Sequence, residues 1–261
     1  SGLENYEFRF KKRKPTLTHG KPKCKRIENK KLKKEEKLIV VTEQGLGDTI
    51  HYMRYIPYLR KEGFDISFCA QEKLHTLIKA SAIDPNPLTP AQLNKIYANQ
   101  WIPLLSLPRY LEVSPKNPII SKPYIFSSKE LIKKWKSNLS KENRPIVGVH
   151  WQGNPKLENK SYKGRSIPLE NFGIILKKNN IKFLSLQKGY GSEQLKNCSF
   201  RKHFVDCQNE IDSIWDFNEH AAIINCCDLV ISNDSCTATL AGGMGKQVWL
   251  LLPDIPHWTW G

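Results

Sequence analysis

The sequence predicts an α/β fold built from two parallel-sheet domains. Short apolar runs rich in Val, Ile and Phe alternate with stretches of helical period along most of the chain. Several of those runs end in Gly, Asn, Asp or Ser. A polar Lys/Glu/Asn break at residues 140–144 splits the alternation into two blocks. Strands covered on both faces read as continuous apolar runs, and alternation with helices makes them parallel.

The elements follow in order. Residues 1–37 read as a basic arm or linker, residues 38–143 as the first domain and residues 144–261 as the second. KLIVVTEQGLGDTIHYMRYIPYLRKEG predicts a buried strand from Leu38 to Thr42, a glycine turn and one helix. FDISFCA predicts a second strand and KLHTLIKAS a short helix. A Pro-rich connection leads to WIPLLSLPRYL. SPKNPIISKPYI is extended, and SSKELIKKWKSNL opens on Ser with helical period. In the second block NRPIVGVHWQGN, IKFLSLQ, DLVISN and QVWLLLP predict strands. IPLENFGIILKKNN, FNEHAAIINCC and SCTATLAGGMG predict helices between them.

Composition narrows the classes. At 261 residues with 39% hydrophobic content the chain supports a packed core of two domains. No apolar stretch approaches the roughly 20 residues that span a bilayer, and a basic arm stands where a signal peptide would be apolar. The seven Cys lack zinc-binding spacing, so they read as small buried thiols in a reducing cytoplasm. The net charge is +16, but residues 1–37 carry 14 Lys and Arg against 5 Glu, which is +9 of it. A run of that kind reads as a solvated linker. Nucleic-acid binding is not expected, because base-stacking aromatics are not interleaved with the charge.

The chemistry lies where strands end. In parallel α/β sheets ligands bind beyond the C-terminal ends of strands, where helices begin. In LVISNDSCTATLAGGMG that place holds Asp234, Ser235, Cys236 and Thr237. A helix N-terminus with hydroxyls suits a phosphate, and the same residues equally suit a helix cap. In EQGLGDTIHY, Gly45 and Gly47 permit backbone conformations and close approach that side chains block. Asp48 there is either an N-terminal cap or a carboxylate facing a cleft. VGVHWQGNP presents Trp151, Gly153 and Asn154, and KGRSIP presents Arg165, a surface residue or a diphosphate partner. FLSLQKGYG presents Gln187, Lys188 and Gly189 after a strand. His150 is either a ligand contact or a core residue, and His220 reads as structural. There is no G-x-S-x-G elbow and no Asp-x-Asp pair for a divalent metal.

Taken together, YEFRF, TEQGLGDTIHYMRYIPYL, WIPLLSLPRYL, GVHWQGNP with GRSIPLENF, FLSLQKGYGSEQL and DLVISNDSCTATLAGGMGKQVWLLLPDIPHWTW resemble one family. It is the glycosyltransferase family 9-like domain, related to ADP-heptose:lipopolysaccharide heptosyltransferases, that follows tetratricopeptide repeats in bacterial proteins. The resemblance implies a GT-B fold, two Rossmann-like domains facing across a cleft, with acceptor on the first and nucleotide sugar on the second. It implies an inverting, metal-independent transferase moving a sugar from a nucleotide-diphosphate sugar to an acceptor hydroxyl on a glycan, lipid-linked sugar or protein. The nucleotide sugar is a substrate, and no cofactor is implied. Asp48 corresponds to the proposed base, Lys188 lies in the donor segment, and residues 234–237 form the diphosphate turn. Thr239 stands where relatives carry His, which favours the alternative of a non-catalytic module binding a nucleotide sugar or partner. Upstream repeats, and a C-terminal stretch beyond WTWG, are expected in a longer protein.

Overall fold

The computed structural model describes residues 2–28, 31–159, 164–177 and 180–260. Lys163 of KGRSIP and residues 178 and 179 of the expected IPLENFGIILKKNN helix lie outside them, as do residues 29 and 30 of the arm. The chain divides into two compact units, Ser1–Phe126 and Ser127–Gly261.

The first unit holds a four-stranded, all-parallel sheet in the order β1-β4-β2-β3. Its strands are β1 (Lys25–Arg26), β2 (Leu38–Val41), β3 (Ile66–Cys69) and β4 (Gln100–Pro103). The first four helices are α1 (Gly2–Tyr6), α2 (Leu46–Tyr52), α3 (Tyr55–Lys61) and α4 (His75–Ala80), and α5 (Leu107–Tyr110) follows β4. β2 is buried along its whole length, as its unbroken LIVV run requires. Ile39 and Val41 pack with Cys69, Leu93 and Ala98. The single helix expected after the glycine turn is instead two. Pro57 has no N–H for the Met53 carbonyl, so the chain turns at residues 53–54, where Ile56 N–H reaches that carbonyl at 3.0 Å.

The arm is not the solvated linker that its charge suggests. β1 lies at a sheet edge, pairing Lys25 with Gln100 and Arg26 with Trp101. Ile27 is buried and its N–H donates to Trp101 O at 2.8 Å. The Arg26 guanidinium stacks 3.8 Å from the Phe10 ring. Arg9 is buried, paired with Glu43 and Glu7. Carboxylates and aromatic faces distant in sequence give these cations partners, which a reading of local charge does not reveal. Lys11, Lys12, Arg13 and Lys14 do remain exposed.

The second unit is built the same way, with parallel strands in the order β6-β5-β7-β8. They are β5 (Ile146–His150), β6 (Lys182–Ser185), β7 (Leu229–Asn233) and β8 (Val248–Leu251). Its helices are α6 (Lys129–Asn138), α7 (Pro155–Glu158), α8 (Gln208–Ser213), α9 (Phe217–Asn225) and α10 (Cys236–Gly243). Ser128 and Asp216 cap α6 and α9 by accepting from Leu131 N at 3.4 Å and Glu219 N at 2.9 Å. Trp135 of α6 is fully buried and donates to Glu219 of α9 at 3.0 Å. Residues 127–143 therefore pack with the second unit, and the boundary falls after Phe126 rather than at the polar break. Leu169–Lys177 winds as 3-10 turns instead of the expected α-helix. Within it Gly173 lies so near the Phe200 ring that a Cβ would come to 3.0 Å. Phe183, Phe200 and Phe204 meet in the core at ring separations of 5.6–6.1 Å.

Candidate functional site

Register brings the polar strand ends together within each unit. In the second, Val149 pairs with Ser185, His150 with Ser232, and Asn233 with Leu251, so the strands finish along one sheet edge. Ser235 ends the turn after β7 and caps α10, its Oγ accepting from Ala238 N at 3.4 Å. It also shares a 2.9 Å hydrogen bond with Ser232 Oγ. The capping expectation is thus realised. The first N–H groups of the helix, on Cys236 and Thr237, have no acceptor within the helix itself. Asp234 and Cys236 are partly exposed, and Thr237 is buried. Thr239 turns its hydroxyl back to the Ser235 carbonyl at 3.4 Å.

Asn233 ties this turn to its neighbours. His150 Nδ1 lies 2.8 Å from Asn233 Oδ1, and Asn233 Nδ2 donates to Arg165 O at 2.9 Å. The amide nitrogen is committed as donor, so its oxygen is the acceptor and His150 Nδ1 carries the proton. Burial holds the His150 pKa down to about 4, with the Arg165 charge adding to the effect, so the ring is neutral at pH 7. Arg165 charge also reaches Cys236, opposing the upward push of burial on its thiol. Arg165 is held by its backbone beside the turn that opens α10, through Asn233. Its guanidinium lies along Gly153, where a Cβ would come 3.0 Å from Nε. Gly153 N–H donates to Ser166 Oγ at 3.1 Å, and Asn154 caps α7 through Lys156 N at 3.0 Å.

Two expected donor contacts serve the scaffold instead. Trp151 is fully buried in the core, its Nε1 donating to Gly191 O at 3.1 Å. Gln187 is buried, and its oxygen accepts from Trp151 N at 3.1 Å and Gln152 N at 2.9 Å. Its nitrogen donates to Gln152 O at 3.0 Å and Tyr190 O at 2.7 Å. All four hydrogen-bonding positions of that amide are used in stitching the β5 and β6 loops together. Gly189, at φ 66°, supplies the left-handed turn beside it.

Lys188 is half-buried, and its amine donates to the Ile211 carbonyl of α8. Burial lowers its pKa to about 8 against the pull of Asp212. Burial, with the Lys188 charge adding to it, depresses the His220 pKa to about 3. His220 is buried and its Nδ1 has no hydrogen-bond partner among the described residues.

In the first unit the turn after β2 carries Glu43, Gln44, Gly45 and Asp48. The left-handed residue is Gln44, at φ 61°, whereas Gly45 has an ordinary φ of −83°. Gly47 is likewise not among the described residues with positive φ, so the turn uses no left-handed glycine; Gly45 instead permits close approach, since a Cβ there would come 3.1 Å from Asp48 Oδ2. Asp48 is partly exposed in the first turn of α2, and its Oδ2 accepts from Gly45 N at 2.9 Å. Sequence reasoning missed Glu43, which is fully buried and accepts from Arg9 Nε at 3.1 Å, Arg9 Nη2 at 2.8 Å and Leu105 N at 3.3 Å. The signal available was an acidic residue two positions after a wholly apolar strand. Among the described residues no group of three or more His, Cys, Asp or Glu could hold a metal ion. No helix among them is long and apolar enough to cross a membrane.

The sequence matches no protein-family model and no curated protein. Its fold does match solved structures. A glycosyl transferase family 9 protein from Veillonella parvula DSM 2008 aligns over 87% of this chain and 84% of its own, with a TM-score of 0.56 and 12% identity. The iron-containing dodecameric glycosyltransferase TibC from enterotoxigenic E. coli H10407 aligns over 85% of this chain and 59% of its own, with a TM-score of 0.54 and 13% identity. TibC in complex with ADP-D-beta-D-heptose gives a TM-score of 0.54 at 13% identity, over 86% of this chain and 60% of its own. The chain thus spans under two thirds of TibC. Its fold is that of family 9 glycosyltransferases, in agreement with the resemblance drawn from the sequence motifs.

Proposed function

We propose that the protein is a glycosyltransferase that moves a sugar from a nucleotide-diphosphate sugar to an acceptor hydroxyl. The observation that carries this reading is the β7–α10 turn. There a Ser-capped helix start follows Asn233, whose amide holds the Arg165 backbone at 2.9 Å, in a fold shared with glycosyltransferases. Amides at a helix start together with a nearby guanidinium suit a diphosphate.

In this reading the fold is GT-B, the second unit holds the donor and the first holds the acceptor. Asp48 takes the proton of the acceptor hydroxyl as its oxygen forms the new bond to the anomeric carbon. The bond from that carbon to the phosphate oxygen breaks, and its electron pair leaves with the diphosphate. We assign the growing charge to the Cys236 and Thr237 amides and to Arg165, preorganised donors of the kind that stabilise leaving groups. Lys188 joins them on leaving the Ile211 carbonyl, since a buried ammonium gains most from an anionic partner. With positive charge supplied by the protein, we read the reaction as metal-independent, and attack opposite the leaving group makes it inverting. All seven cysteines are free thiols, which fits a cytoplasmic setting.

The second reading, a binding module without turnover, is favoured by Thr239 and by the commitment of Gln187 and Trp151 to the scaffold. One experiment separates them. Thermal unfolding with UDP-, GDP-, ADP- and CMP-sugars should show one class raising the midpoint. Release of nucleoside diphosphate is then followed with that donor and candidate acceptors. Arg165→Ala should abolish the midpoint rise, while Asp48→Ala should keep it and lose transfer by about 10²–10⁴-fold. If no nucleotide sugar moves the midpoint, the transferase reading fails and only a partner-binding module is left; binding without release leaves a nucleotide-sugar-binding module.

A further inference from the structure

The turn joining β2 to α2 holds a residue in an unfavourable backbone conformation. Gln44 has a Cβ yet sits in the left-handed region at φ 61°, a state that persists where the surroundings impose it. Those surroundings come from the arm. The Gln44 amide donates through Nε2 to the Tyr6 hydroxyl. One residue earlier, the Glu43 carboxylate is gripped by Arg9 through two N–H groups. Arg9 in turn stacks 4.3 Å from the Tyr6 ring and donates to Tyr6 O at 3.0 Å. One residue later, the Gly45 N–H donates to Asp48 Oδ2 at 2.9 Å. The direction of that N–H is set by the peptide plane that follows Gln44.

We propose that Tyr6 and Gln44 are positioning residues for Asp48. The Tyr6 hydroxyl holds Gln44 left-handed, and that conformation aims the Gly45 N–H at the Asp48 carboxylate. The arm is thereby part of the acceptor-side machinery. The functional consequence rests on Asp48 being the base, as in the reading above; the structural linkage does not.

The test uses the full chain and observes the Gly45 amide proton by NMR from pH 3 to 7. A proton hydrogen-bonded to a carboxylate shifts as that carboxylate titrates. Tyr6→Phe removes only the hydroxyl, and Gln44→Ala removes the amide while keeping the Cβ that disfavours the left-handed backbone. Each should cut the titration amplitude at Gly45 by roughly half or more, because the amide proton then no longer bonds the carboxylate whose charge it senses. Gln44→Gly, whose backbone enters the left-handed region freely, should retain most of the amplitude. With an accepted donor, Tyr6→Phe and Gln44→Ala should lower kcat by about tenfold and leave the donor KM within about twofold. An unchanged Gly45 titration in Tyr6→Phe, or a Gln44→Gly protein that behaves like Gln44→Ala, overturns the proposal. If the titrations respond as expected but the wild type turns over no nucleotide sugar, the linkage stands and the transferase reading is what fails.

Discussion

Replacing Arg9 by alanine tests the claim that the arm is an integral part of the first unit. Arg9 is 3% exposed and Glu43 0%, so the mutation strands a carboxylate that keeps only the Leu105 N–H of its three donor contacts at Glu43. Breaking a buried pair by removing one partner costs about 3–5 kcal/mol. A unit of this length loses roughly 4 °C of midpoint per kcal/mol, so the first unit should melt roughly 10–20 °C lower. Differential scanning calorimetry measures this directly. The double variant Arg9→Met with Glu43→Leu removes both charges and should recover most of the loss, because paired apolar replacements of a buried ion pair are often neutral. A decrease below about 3 °C in Arg9→Ala, set against that scale, would show the pair to be solvated. A double variant no better than the single one would show that the loss is one of shape rather than of stranded charge.

Three further predictions concern the second unit. A Cβ at Gly242 meets nothing within 4 Å, so Gly242→Ala in helix α10 should stabilise by about 0.5–1 kcal/mol. At Gly148 a Cβ would come 2.8 Å from Leu186 Cδ1 and 2.9 Å from Cys227 Sγ, so Gly148→Ala should cost about 1–3 kcal/mol through overpacking; urea unfolding reads both. Burial lowers the Lys188 pKa to about 8, below the unfolded value of about 10.4. The unfolded chain therefore binds more protons within that window, and stability should rise with pH across it. Lys188→Met should remove this rise and be at least as stable as wild type at pH 7, as unfolding midpoints between pH 7 and 10.5 will show.

Much of the fold was legible because its signals are local. The LIVV, IVGV and LVIS runs became β2, β5 and β7, and the Ser opening SSKELIKKWKSNL marked a helix start through its hydroxyl cap. The arm was illegible for the opposite reason. Arg9 finds its partners 34 and 97 residues away, at Glu43 and Ser106, and no window of sequence spans both. In the glycine turn, residue type misled: Gly45 and Gly47 are the residues best suited to a left-handed backbone, yet Gln44 holds it. At the strand ends, Gln187 looked like a ligand contact, but its four hydrogen bonds are all made within the protein.

The order of apolar runs and helical periods determined two parallel sheets and the polar composition of their strand ends, because burial and backbone pairing act on every residue of a run alike. Only the tertiary structure decided which of those polar groups support the scaffold. A side chain has few hydrogen-bonding positions, and neighbours far away in sequence determine whether they are already filled.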